Sequence, residues 1–222
     1  VDQAERSGGP GIIVTYTVSL ENTGTDPDDF TFAIVRCDDC SAWGASLSTY
    51  EISDLEDGDF FDIELYIEVP QSARNTDSAE MGVVASSASD SVVTDSISTL
   101  TTVDKVFNRH VYWESGYVLN PGDSSTIDIV ITNLGNSYQS YTFESDELPS
   151  GWTFEGLPHQ TEDLEPYGGE ESFIVDFQVA DDANPGYVNF TVDVIHGSMD
   201  QFSRNKVMKD FRSGVSIGVR SK

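Results

Sequence analysis

A repeat of 111 residues governs what this chain can fold into. Pro10-Gly11 recurs as Pro121-Gly122 and Asn22-Thr23-Gly24 as Asn133-Leu134-Gly135, while Phe30 and Phe32 recur as Tyr141 and Phe143. With one or two residues of drift, Trp43 answers to Trp152 and Asp54-Leu55-Glu56 to Asp163-Leu164-Glu165. Leu65, Ile67 and Val69 answer to Val175, Phe177 and Val179, and Ala73 to Ala183. The matched positions are apolar residues and turn formers, which packing and positive-φ turns dictate, so what is duplicated is a fold.

Within each repeat the apolar period is two. Ile63-Glu64-Leu65-Tyr66-Ile67-Glu68-Val69 puts four aliphatic residues on one face, and Phe173–Val179 and Tyr187–Val194 alternate in the same way. Turn formers such as Asp57-Gly58-Asp59, Asn120-Pro121-Gly122 and Asn184-Pro185-Gly186 separate these runs, and no helical stripe of about ten residues is visible. The expected class is all-β. The 222 residues suit two tandem Ig-like antiparallel β-sandwich domains, placed at 1–103 and 104–222.

The second repeat carries a resemblance. Asn120-Pro121-Gly122-Asp123-Ser124 leads into Ile131-Thr132-Asn133-Leu134-Gly135-Asn136, followed by Leu148-Pro149-Ser150-Gly151-Trp152, Leu164-Glu165-Pro166 and Ala183-Asn184-Pro185-Gly186-Tyr187. This order resembles the alpha-galactosidase-associated (NPCBM-associated) domains and similar cell-adhesion-related modules of archaeal and bacterial surface proteins, over nearly all of 104–203. The first repeat departs at the Pro-Gly-Trp segment, where Cys37 to Trp43 stand instead. The resemblance implies an Ig-like module that spaces, adheres or assembles, and it brings no catalytic residues.

Charge restricts the partners. Eleven Lys and Arg oppose 39 Asp and Glu, a formal charge of −28, which repels nucleic acid and disfavours docking on an anionic membrane. With 38% hydrophobic residues the chain nonetheless has material for a core, and no apolar run is long enough to span a membrane. The chain opens at Val1 without Met, as a processed product or an excised piece would. The two cysteines form Cys37-Asp38-Asp39-Cys40. Two intervening carboxylates oppose the thiolate that redox chemistry needs, and no nearby His completes a zinc set, so a loop-closing disulfide is expected, with free thiols and metal or redox chemistry as alternatives. A disulfide implies an extracellular or cell-surface setting.

Catalytic signatures are missing from the sequence, and no enzyme activity is expected. His110, His159 and His196 lack metal-ligand spacing, and no nucleophile elbow, phosphate loop or zinc-protease motif occurs. Two acidic loops, Asp26, Asp28 and Asp29, and Asp54, Glu56, Asp57 and Asp59, are candidate Ca²⁺ ligands, the alternative being a solvated acidic surface. Calcium is the one candidate cofactor. Asn189-Phe190-Thr191 is the glycosylation sequon. Tyr112, Trp113, Tyr117, Tyr138 and Tyr141 are candidates for a glycan platform, whereas the matched Trp43 and Trp152 are expected in the cores.

Two asymmetries point to self-association. Arg204, Lys206, Lys209, Arg212, Arg220 and Lys222 face only Asp210 in the last 19 residues, which thus carry +5, against −33 on the other 203. Such a polarity suits head-to-tail contact between copies. In addition, Val111-Tyr112-Trp113 and Tyr117-Val118-Leu119 precede Pro121-Gly122 as an opening strand, while the residues before Pro10 are polar and Gly-rich. The first domain is therefore expected to lack its opening strand, leaving an unpaired edge. Val215, Ile217 and Val219 of one chain could complete the next by strand addition, which makes the expected function that of a subunit of a cell-surface filament or surface layer. The alternatives are a cut fragment of a longer module array, a tail that is its own domain's last strand, or a carbohydrate-binding accessory module.

Overall fold

The computed structural model describes residues 4–113, 116–145, 148–197 and 212–219. Every regular element among them is a strand, so the protein is all-β with Ig-like sandwich organisation. No helix among the described residues is long and apolar enough to cross a membrane. The chain divides into two compact units, Val1–Val106 and Phe107–Lys222.

The first unit contains β1 (Ala4–Gly8), β2 (Ile13–Glu21), β3 (Asp28–Arg36), β4 (Gly44–Leu47), β5 (Glu51–Leu55), β6 (Phe60–Glu68), β7 (Ser78–Ser87) and β8 (Thr94–Val103). One sheet has the order β1-β8-β7-β3-β5 and the other β2-β6-β4. Ile63, Leu65, Ile67 and Val69, the alternating face read from the sequence, are all fully buried and pack with Tyr16, Phe32 and Trp43 between the sheets. Alternation fixes this register, since a slip of one residue would turn all four to solvent.

The second unit contains β9 (Arg109–Trp113), β10 (Tyr117–Leu119), β11 (Ser124–Asn133), β12 (Ser140–Ser145), β13 (Thr153–Glu155), β14 (His159–Gln160), β15 (Gly169–Gln178), β16 (Gly186–Gly197) and β17 (Arg212–Val219). Its sheets run β10-β17-β16-β12-β14 and β13-β15-β11-β9. Phe177 anchors the core, with Tyr117 and Phe154 edge-on at ring-centroid distances of 5.3 and 6.0 Å. Trp43 and Trp152 are both buried, as their shared position in the repeat predicts.

The expected opening of the chain needs correction. The polar segment before Pro10 does form a strand: β1 pairs in parallel with β8 from Ala4↔Thr99 to Gly8↔Val103. An exposed edge strand needs backbone bonds from one neighbour and no apolar face, so its polar residues are no obstacle. The stretch 109–119 is in turn two strands belonging to different sheets. Gly116, at φ 93°, lies between them, and β10 then pairs in parallel with β17 as β1 does with β8. The first unit thus has the counterpart of β10. Among the described residues it lacks the counterpart of β9.

The proposed donor strand is corrected as well. Val215, Ile217 and Val219 lie in β17, which pairs antiparallel with β16 over 212–219 and parallel with β10 over 217–219. Their backbone is committed within their own unit. Arg212 starts that strand, while Arg204, Lys206, Lys209 and Arg220 lie outside the described residues.

Candidate functional site

The feature that distinguishes the units is the outer edge of β2. The equivalence of β2 with β11 is fixed by Asn22 and Asn133, each buried at a strand end. The Nδ2 of Asn22 donates to the carbonyls of Asp26 (3.0 Å) and Leu55 (2.8 Å), and its Oδ1 accepts from the Gly24 N–H. Asn133 Nδ2 donates to the carbonyls of Ser137, Leu164 and Glu165, and its Oδ1 accepts from the Gly135 N–H. Val18 and Leu20 are therefore the counterparts of Ile129 and Ile131. In the second unit β9 lies along β11, with Trp113 opposite Ile129 and Val111 opposite Ile131, and those isoleucines are 2% and 0% exposed. Val18 and Leu20 remain half-buried.

Hydrogen-bond phase decides which backbone groups face the open side. The Asn22 N–H donates to the Asp59 carbonyl and the Val69 N–H to the Ile12 carbonyl, so even-numbered residues of β2 bond to β6. Odd-numbered residues face outward, and the Arg6 guanidinium donates to the outward carbonyl of Thr15 at 2.5 Å. Ser19 and Glu21 also face outward, and among the described residues no strand pairs with that side of β2. Beside them opens a cavity of about 170 Å³ whose lining includes Val18, Leu20, Phe32, Ile63, Val83 and Ile97 together with Asp95. It continues into a groove along Glu21, Asp26, Asp28 and Asp90, so the rim is acidic.

Two carboxylates of the first acidic loop are engaged within the fold. The Asp28 carboxylate accepts from the hydroxyls of Ser87 and Ser89, both at 2.5 Å, and from the Ser89 N–H. The Ser87 hydroxyl, then that of Ser89, holds its pKa below the usual 3.8. Asp29 Oδ1 accepts the N–H of Asp54, a residue at φ 54°. Among the described residues no group of three or more His, Cys, Asp or Glu is arranged to hold a metal ion, and Asp26, Asp28, Asp29, Asp54, Glu56, Asp57 and Asp59 are not gathered into one.

The remaining candidates disperse. Cys37 and Cys40 form a disulfide, their Cα atoms 5.3 Å apart. The five candidate glycan-platform aromatics separate: Tyr141 is buried, Trp113 and Tyr117 pack against the core, and Tyr112 and Tyr138 are exposed. Burial pushes the Tyr141 hydroxyl pKa up, and the Arg109 guanidinium, 6.0 Å from its ring centroid, opposes that shift. His159 pairs with Glu171 at 2.8 Å and stacks on Phe173, whereas His196 stacks on Phe107 and His110 is exposed. Asn189 lies within β16, paired with Ser216. The outward phase of Ser19 and Glu21 was not read from the sequence, although the absence of an apolar counterpart to Val111-Tyr112-Trp113 was its available signal.

No known protein family matches the sequence, and no curated protein matches it either. What stands of the resemblance over 104–203 is the Ig-like sandwich. Solved structures with similar folds include a Porphyromonas gingivalis W83 protein of unknown function, at 12% identity over 94% of this chain and 92% of that one, TM-score 0.32. Domains 4 and 5 of the S-layer protein SbsC match at 11% identity over 86% and 77%, TM-score 0.32. CBD12 from CALX1.2 matches at 10% identity over 91% and 81%, TM-score 0.37.

Proposed function

We propose that this protein is a structural or adhesive component of an extracellular surface, a subunit of a filament or surface layer whose copies join head to tail. The outer edge of β2, along which no strand pairs among the described residues, is the observation that carries the reading, because such an edge beside an apolar cavity is a receptor for another chain. The Cys37–Cys40 disulfide supports an oxidising location. The charge division between the body and the last 19 residues supports contact between unlike ends of successive copies. Division of the chain into domains at 1–103 and 104–222 belongs to the same reading. No catalytic role is assigned, and the dispersal of the five aromatics gives no support to a glycan platform.

Electron microscopy of the purified protein at low and high salt, with and without calcium, tests the reading. Regular filaments or sheets are expected. Discrete particles under every condition would reject assembly.

A further inference from the structure

We infer that the outer edge of β2 accepts a donated β-strand of the pattern basic-x-apolar-x-apolar, running antiparallel, with its basic residue opposite Asn22 and its two apolar residues opposite Leu20 and Val18. This deepens the assembly reading, and rests on it for the source of the strand, by naming what a neighbouring chain must present.

The protein contains the template. In the second unit β9 reads Arg109-His110-Val111-Tyr112-Trp113 and pairs with β11 at Asn133, Thr132, Ile131, Val130 and Ile129 in turn. Leu134 donates its N–H to the Asn108 carbonyl, which shows that even-numbered β11 residues bond to β9. Their counterparts in β2, Ser19 and Glu21, present outward N–H and C=O groups in the same phase. Val111 and Trp113 pack against the second core. The corresponding side chains of a donated strand enter the cavity between Val18, Leu20, Phe32 and Ile97 and complete the burial that Ile129 and Ile131 already have.

Charge selects the leading residue. Arg109 lies over the Tyr141 ring, and the counterpart of Tyr141 is Phe30, a second aromatic face at the same place. Around Phe30 the groove presents Glu21, Asp26, Asp28 and Asp90, so a cation entering there meets carboxylates that an acidic or neutral strand would not use. A second β2 edge is a poor occupant, since its Glu21 would add like charge to this rim.

The probe is a synthetic peptide of sequence Phe107–Trp113 titrated into the intact chain, with hydrogen exchange read at each amide. Saturable binding and slowed exchange at Ser19 and Glu21 are expected. A peptide carrying Val111→Asp and Trp113→Asp should bind about tenfold more weakly or worse. Ser19→Pro removes an outward N–H and spares the β6 ladder, and Leu20→Thr puts a strand-favouring β-branched residue in place while trimming the apolar wall; each should weaken the peptide about tenfold. Absence of saturable binding, or binding undiminished in both variants, would overturn the inference. So would Ser19 and Glu21 amides already protected in peptide-free monomer, because residues of the same chain would then cover the edge. A protein that binds the peptide at β2 yet never self-associates keeps the acceptor and loses the assembly reading. A protein that forms filaments yet shows no saturable peptide binding does the reverse.

Discussion

Asn22 and Asn133, 111 positions apart, each close the turn after a long strand by donating to carbonyls of a second loop while accepting from the N–H two residues on. The amide side chain fits because it supplies donors and an acceptor at one point, which neither a carboxylate nor an aliphatic residue does.

Asn133→Ala should lower stability by about 1–3 kcal/mol, since it leaves the carbonyls of Ser137, Leu164 and Glu165 without that donor. Asn133→Asp should cost more, because an ionised carboxylate would face those three carbonyls. Urea denaturation of the two variants at neutral pH checks the order.

Acid should loosen the 87–90 turn before it affects the cores. The Asp28 pKa is depressed, with hydrogen bonds from Ser87 and Ser89 as the leading causes. Its contribution is therefore fully present above pH 3.8, the ordinary value, and is lost as pH falls through the lower folded-state value. Exchange at the Ser89 amide, which donates to Asp28, should accelerate in that window. In Asp28→Asn the acid-dependent step should vanish.

Phe177→Ala should destabilise the protein by about 3–5 kcal/mol, because the ring is fully buried and two aromatic rings rest on it. Val118→Ala, at a side chain 54% exposed, should stay within about 0.5 kcal/mol of the parent. Thermal or chemical denaturation separates them.

Replacing both Cys37 and Cys40 by Ala should cost about 2 kcal/mol, the loop-closure value for so short a ring, their sequence separation being 3. The turn itself should persist, because the Cys40 N–H bonds to the Cys37 carbonyl and the Trp43 N–H to the Cys40 carbonyl. Denaturation with and without reductant measures the difference, which should disappear once the parent is reduced.

The strands with inward aliphatic alternation were legible because burial imposes their period; Ile63 to Val69 is the clearest case. Asn-x-Gly turns and the paired tryptophans were legible through the repeat. β1 was hidden, since a strand held at an edge by backbone bonds alone leaves no apolar signature in Ala4–Gly8. The switch of 109–119 between two sheets was hidden because both halves are equally β-prone and only Gly116 marks the crossing. Charge alone could not show how the acidic loops are used, since the hydroxyl and backbone donors that Asp28 and Asp29 accept from lie far along the chain. Aromatic content likewise could not distinguish Tyr141, turned into a core, from Tyr112, turned out of one.

The parallel pairing of β1 with β8 also has a mechanical side. The chain enters the first unit along β1 and leaves it along β8, so tension between the two ends pulls the neighbouring strands past one another lengthwise. Five registered pairs, Ala4↔Thr99 through Gly8↔Val103, are then loaded together in shear rather than opened one after another. The second unit differs: its first strand, β9, pairs antiparallel with β11, and the parallel pairing of β10 with β17, Tyr117↔Ile217 through Leu119↔Val219, stands one strand further in. Stretched end to end, the first unit therefore resists through its terminal pair of strands acting as a single clamp.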